Sequence, residues 1–91
     1  MTEKEVLDEL RSIAVDRLRF DPSRAAEMTL ETTLPKDVEG SLGLDSLDFI
    51  ELSVAMEERF GFTIEEGQDL SEEFHSLGSL SRFILARIGQ A

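Results

Sequence analysis

The sequence contains no cysteine, tryptophan or tyrosine, and only 2 prolines among 91 residues. Without cysteine the chain cannot form disulfides, thiolate metal sites or a thiol nucleophile of its own. It also has no long apolar run and no basic, apolar N-terminal stretch, so we expect neither a membrane span nor a signal peptide. We therefore expect a cytoplasmic protein. The length fits a single domain over residues 1–91, with one modest core.

Basic residues are scarce: 9 lysines and arginines stand against 20 acids, for a net charge of -11. The imbalance is concentrated between residues 37 and 81, where Arg59 is the only base among 12 acids. Such a field repels nucleic acid and anionic membranes, and it attracts basic protein surfaces. We therefore expect protein partners and no nucleic-acid partner, and we expect the chain to be a monomer.

Apolar residues recur at helical spacing, which predicts an all-α fold: a small bundle of three main helices and one short helix. The main helices are predicted at residues 3–19, 46–60 and 77–88. Thr2 and Ser76 are candidate N-caps, and Gly61 is placed to end the second main helix. The short helix is expected near residues 68–74.

A long loop, residues 21–45, separates the first two main helices. Its prolines, glycines and threonines argue against a continuous element, although a helical turn is possible around residues 24–28. A connection of this length needs anchors in the core. The candidate anchors are Leu30, Leu34, Leu42 and Leu44.

The second main helix has two apolar faces. On a helical wheel, one face is a core stripe of Phe49, Leu52, Met56 and Phe60. Leu47, Ile50 and Val54 lie on the opposite face, flanked by acids at Glu51, Glu57 and Glu58. A small bundle buries only one side of such a helix. The second face is therefore either a docking surface for proteins with basic, apolar-centred patches or a surface covered by the long loop.

Ser46 stands where the loop ends and this helix begins. Asp45 and Ser46 are both favoured N-cap residues, so capping alone is enough to explain a serine here. The N–H groups at a helix N-terminus also favour an attached phosphate. Spacing alone leaves both roles open.

The sequence around Ser46 resembles a known family. The segment LGLDSLDFIEL, residues 42–52, resembles the phosphopantetheine attachment motif of acyl carrier proteins. Residues 56–64, MEERFGFTI, are similar to the end of the family's second helix and its exit. The order of helices and loops agrees as well, so the resemblance covers nearly the whole chain.

The resemblance implies that a phosphopantetheinyl transferase esterifies Ser46 with 4'-phosphopantetheine from coenzyme A, with Asp45 assisting. The thiol of that group would hold acyl intermediates as thioesters and present them to acyl-loading and acyl-processing enzymes with basic docking surfaces. The implied docking residues are Leu47, Asp48, Ile50, Glu51, Val54, Glu57 and Glu58. The implied core, in which some members sequester the acyl chain, comprises Phe49, Leu52, Met56, Phe60 and Ile64.

Departures from typical fatty-acid carriers, among them the longer loop through residues 21–32 and the bulky Phe49, favour a specialised pathway such as polyketide or lipid biosynthesis. A carrier of aminoacyl, peptidyl or D-alanyl groups and an unmodified acidic helical adaptor are the alternatives. We expect no enzyme, because His75 is the only histidine and no nucleophile system can be assembled around it. The acids near Asp45 and Glu65 lack the spacing of a calcium loop, so we expect no metal site.

Overall fold

The computed structural model describes residues 1–65 and 70–89. The helices in these ranges are α1 (Glu3–Asp16), α2 (Pro22–Ala26), α3 (Ser46–Phe60) and α4 (Leu77–Ile88). No strand occurs within the described ranges, where two isolated bridges join Thr33 to Ser76 and Pro35 to Leu44. The prediction of a small all-α bundle is confirmed.

The helix ends follow the predicted caps. At α1 the Glu5 amide donates to the Thr2 hydroxyl over 3.2 Å, and the Thr2 amide donates back to the Glu5 carboxylate over 3.0 Å. Ser76 and Ser79 form the same reciprocal arrangement at the start of α4. Gly61 ends α3 with a φ of 76°, a left-handed conformation that costs glycine little because it has no Cβ.

The first helix is shorter than predicted: it ends at Asp16 and not at residue 19. Arg19 has a φ of 61°, and the Phe20 amide reaches back to the Ala14 carbonyl over 2.9 Å. This reversal stops the helix before Pro22, which occupies the first turn of α2.

The short helix lies earlier in the chain than the prediction placed it. The possible turn near residues 24–28 corresponds to α2, with Asp21 as its N-cap. Residues 71–74 form turns, closed by a hydrogen bond from the Phe74 amide to the Leu70 carbonyl, and the predicted helix does not form there. The rest of that prediction, residues 68–69, lies outside the described residues.

The long loop caps the start of α4. The Leu77 amide donates to the Thr32 carbonyl over 2.9 Å, and the Gly78 amide donates to the Leu30 carbonyl over 2.7 Å. The Leu34 amide donates in turn to the His75 carbonyl over 2.9 Å. The first N–H groups of a helix have no partner within the helix, so the loop supplies acceptors that α4 cannot.

The helices and the loop share one hydrophobic core, in which α1 packs mainly against α4 and less extensively against α3. Of the predicted loop anchors, Leu34 and Leu44 are buried, and Leu30 and Leu42 are partly buried against the core. Within the described ranges, every helix is too short or too polar to span a bilayer.

Gly78→Ala is expected to destabilise the fold. A Cβ at Gly78 would lie 2.7 Å from the Leu30 carbonyl oxygen, so the loop would have to move. Alanine gains about 1 kcal/mol in helix propensity, but overpacking costs typically 1–3 kcal/mol and the Gly78–Leu30 hydrogen bond is weakened as well. Urea unfolding should therefore show a net loss, with faster amide exchange at Leu34 and Leu77. A variant more stable than the wild type would contradict the close approach.

Candidate functional site

The start of α3 is capped by Asp45 and not by Ser46. The Asp48 amide donates to the Asp45 carboxylate over 3.0 Å, and the Asp45 amide donates to the Asp48 carboxylate over 3.2 Å. Gly43, with a φ of 76°, turns the chain two residues before this cap. The reciprocal pair satisfies the start of the helix without help from Ser46.

Ser46 is the first residue of α3, and its side chain is exposed. Its hydroxyl forms no hydrogen bond with any residue that the structure describes. A structural role in capping, which the sequence left open, is therefore taken by Asp45. The serine that remains is an accessible alcohol at the positive end of a helix, which is a favourable place for a phosphate ester.

Asp45 is held in its charged form. The hydrogen bond from the Asp48 amide is the main cause that lowers the pKa of Asp45, and the charge of Lys36 contributes in the same direction. At neutral pH an anion therefore stands next to Ser46 in the sequence, ready to attract a cation or a basic side chain. Sequence reasoning had missed Lys36, which comes close to Asp45 because the Lys36 amide donates to the Leu44 carbonyl.

The second apolar face of α3 is open. Leu47 is 75% exposed, Ile50 is 62% exposed and Val54 is 39% exposed. We call these three residues the apolar strip. The alternative that the long loop covers this face is wrong, because the loop instead bonds to the start of α4. The other face is buried as predicted at Leu52 and Met56, and its Phe49 and Phe60 are partly buried.

The acids among the predicted docking residues all have partners within the protein. Asp48 belongs to the capping pair, and the Glu57 carboxylate accepts from the Ile64 amide over 2.8 Å. Glu51 and Glu58 both bind the guanidinium of Arg17, over 2.8 Å and 3.0 Å. The hydrogen bonds to Glu58 and Glu51 raise the pKa of Arg17. The sequence offers no local signal for this pairing, because Arg17 lies 34 and 41 residues from these partners.

An apolar cavity of about 620 Å³ lies beside the first turns of α3. Its lining residues are Pro35, Asp37, Val38, Phe49, Leu70, Ser71, Phe74 and His75. Phe49 reaches it from α3, one turn after Ser46, and its ring meets that of Phe74 at a centroid distance of 5.8 Å. His75 is exposed at this cavity. The cavity is large enough to hold a small apolar group.

Comparison with known proteins identifies close likenesses over most of the chain. Residues 8–84 match the family model described as "Phosphopantetheine attachment site". An acyl carrier protein from Helicobacter acinonychis is 34% identical over 79 residues, covering 87% of this chain and 90% of the relative. One from Phenylobacterium zucineum is 34% identical over 85 residues, covering 93% and 96%.

Among solved structures, the fold is similar to the solution NMR structure of a holo acyl carrier protein from Nitrosomonas europaea. The TM-score is 0.70 at 28% sequence identity, and the match covers 88% of this chain and 92% of that one. The likeness therefore extends from sequence to fold over nearly the same stretch.

Proposed function

The chain belongs to the acyl carrier protein family, and from this membership we propose that Ser46 is the residue to which its 4'-phosphopantetheine is attached. Members of the family are carriers and not catalysts, and a phosphopantetheinyl transferase modifies them. The observation that carries the proposal is that Asp45 and Ser46 have different roles at the start of α3. Asp45 caps the helix, and Ser46 is exposed with its hydroxyl unengaged by the described residues.

The residues around Ser46 fit the group. The phosphate would be attached at the N-terminus of α3, where the helix dipole favours negative charge. Asp45 remains ionised and can attract a metal ion or basic group that the transferase brings, which is the assisting role we propose for it. When bound, the group supplies a thiol that holds acyl groups as thioesters. The chain itself encodes no thiol, since it has no cysteine.

Partner enzymes would dock on the apolar strip. Leu47 and Ile50 are far more exposed than large apolar side chains usually are in a small domain, and acids flank them. A matching partner surface has an apolar centre surrounded by lysines and arginines. The transferase is the first such partner, and enzymes that load and process acyl groups are the others. The proposed docking residues remain Leu47, Asp48, Ile50, Glu51, Val54, Glu57 and Glu58.

The apolar part of the cavity beside α3 fits an acyl chain. Its walls include Val38, Phe49 and Phe74, which suit an aliphatic group, together with the carboxyl group of Asp37. We propose a monomeric carrier formed by residues 1–91 as one domain, acting in fatty-acid, polyketide or related specialised biosynthesis. A working thiol stays reduced in a reducing compartment, which supports a cytoplasmic location.

Mass spectrometry tests the attachment directly. The protein is incubated with coenzyme A and a broad-specificity phosphopantetheinyl transferase, and its intact mass is then measured. We expect one phosphopantetheinyl addition, which fragmentation assigns to Ser46 and not to the neighbouring Ser41 or Ser53. Assignment to another residue would overturn the proposed site. Failure of several transferases to modify the folded protein would instead favour the unmodified adaptor.

A further inference from the structure

Arg17 connects the end of α1 to the docking face of α3. It is the C-cap residue of α1, and its guanidinium spans two glutamates of α3. The Nε atom lies 2.8 Å from Oε1 of Glu51, and Nη1 lies 3.0 Å from Oε2 of Glu58. One arginine thereby occupies both carboxylates.

These two carboxylates lie on the face of α3 where partner enzymes are proposed to dock. Glu51 and Glu58 are seven residues apart, so they stand two turns apart on the same side of α3. On the helical wheel they lie next to Leu47 and Val54 of the apolar strip. A basic group of a partner that docks on the strip would meet Glu51 and Glu58 at its edge.

The ion pairs with Arg17 remain open to exchange. The side chain of Arg17 is 33% exposed, that of Glu51 44% and that of Glu58 63%. Ion pairs with this much exposure are individually weak, because water and salt screen both charges. A cation from outside can therefore compete with Arg17 for the same oxygens without first entering the core.

We propose that Arg17 is an internal competitor for the docking face, occupying Glu51 and Glu58 until a basic side chain of a partner displaces it. The inference rests on the proposed docking function and specifies the partner chemistry further. A guanidinium is the best replacement, since it presents several N–H donors in a plane as Arg17 does. The competition weakens each complex, which suits a carrier that must leave one enzyme to reach the next.

Arg17→Gln is expected to strengthen binding to a partner with a basic surface. The substitution frees two carboxylates and removes a positive charge from the edge of the strip. We expect the dissociation constant for the phosphopantetheinyl transferase to fall about 3- to 10-fold at low salt, and the gain to shrink as salt is added. Calorimetric titration measures this, with Ser46→Ala in every carrier so that no turnover occurs.

Arg19→Gln is the matched control. Arg19 is exposed near Arg17, and it forms no ion pair or hydrogen bond within the described ranges, so the substitution removes the same charge and frees no carboxylate. It should change binding by much less than Arg17→Gln does. Equal effects of the two substitutions would show that net charge alone is responsible, and would overturn the proposal.

A double-mutant cycle isolates the competition. In a Glu51→Gln, Glu58→Gln background, Arg17→Gln has no carboxylate to release, so its effect should fall to that of Arg19→Gln. The double glutamine substitution should also weaken binding more when residue 17 is glutamine than when it is arginine. Circular dichroism confirms that each variant is folded. Additive effects around the cycle would overturn the proposal even if Arg17→Gln alone improved binding.

Failure of this inference is separate from failure of the proposed function. If mass spectrometry assigns the modification to Ser46 but the cycle is additive, the carrier function stands and the competition does not. If no transferase modifies or binds the folded wild-type protein, the proposed function falls, and the competition falls with it.

Discussion

Ser46→Ala should abolish phosphopantetheinylation while leaving the fold intact. After incubation with coenzyme A and a transferase, the variant should keep the mass of the unmodified chain, because the accepting oxygen is gone. Its stability should change by no more than about 0.5 kcal/mol, since an exposed hydroxyl without described partners contributes little. Intact-mass measurement and urea unfolding test the two halves of this prediction.

Ser53→Ala is the control on the same helix. Ser53 lies two turns after Ser46, and its hydroxyl donates to the Phe49 carbonyl over 2.9 Å. This hydrogen bond gives Ser53 a structural role within α3. Replacing Ser53 should therefore leave phosphopantetheinylation of the protein unaffected. Modification that persists in Ser46→Ala would show that another hydroxyl is the acceptor. Loss of helical content in Ser46→Ala would show that Ser46, and not only Asp45, maintains the start of α3.

Ile50→Asp should impair transfer to partners without unfolding the protein. Ile50 lies at the middle of the apolar strip and is 62% exposed, so aspartate there stays in water in the free carrier. In a complex, the carboxylate would be forced against the apolar centre of the partner surface and left without a counter-charge. Apolar anchors of this kind commonly account for about 2 kcal/mol or more of the binding free energy. We therefore expect the kcat/KM of a partner enzyme acting on the carrier to fall about 10- to 100-fold.

Leu52→Asp is the comparison that separates docking from folding. Leu52 lies two residues further along α3 but faces the core, where an aspartate would be buried and unpaired. It should cost roughly 3–5 kcal/mol, a large share of the stability of a small domain. Circular dichroism should therefore show a folded Ile50→Asp and a severely destabilised Leu52→Asp. Unfolding of Ile50→Asp would place Ile50 in the core, and unchanged transfer would remove it from the docking face.

Most of the helical framework could be predicted because its signals are local. Thr2 with Glu5, and Ser76 with Ser79, are three residues apart, so their caps depend only on neighbouring backbone. The exceptions involve contacts with residues further away. The end of α1 depends on the hydrogen bond from the Phe20 amide to the Ala14 carbonyl. The spacing of apolar residues does not indicate this reversal of the chain.

In the candidate site, too, the features with a local sequence signal could be predicted and the others could not. Its resemblance to the attachment motif is contained within residues 42–52. Asp45, Ser46, Leu47 and Ile50 of this segment were identified from sequence alone, as was Val54 two residues after it. The identity of the cap could not be decided there, because Asp45 and Ser46 suit the position equally well. Only the geometry shows the Asp45–Asp48 pair and leaves Ser46 unengaged.

The sequence by itself determined that a helix start bearing a serine would precede a helix with two apolar faces, because spacing along α3 decides which residues share a face. The tertiary structure alone decided which surfaces remain open. The long loop turns to the start of α4, where Leu77 and Gly78 need acceptors, and so it leaves the strip uncovered. Arg17 meets Glu51 and Glu58 across more than thirty residues, and pairing over that distance follows from how helices pack and not from any local pattern.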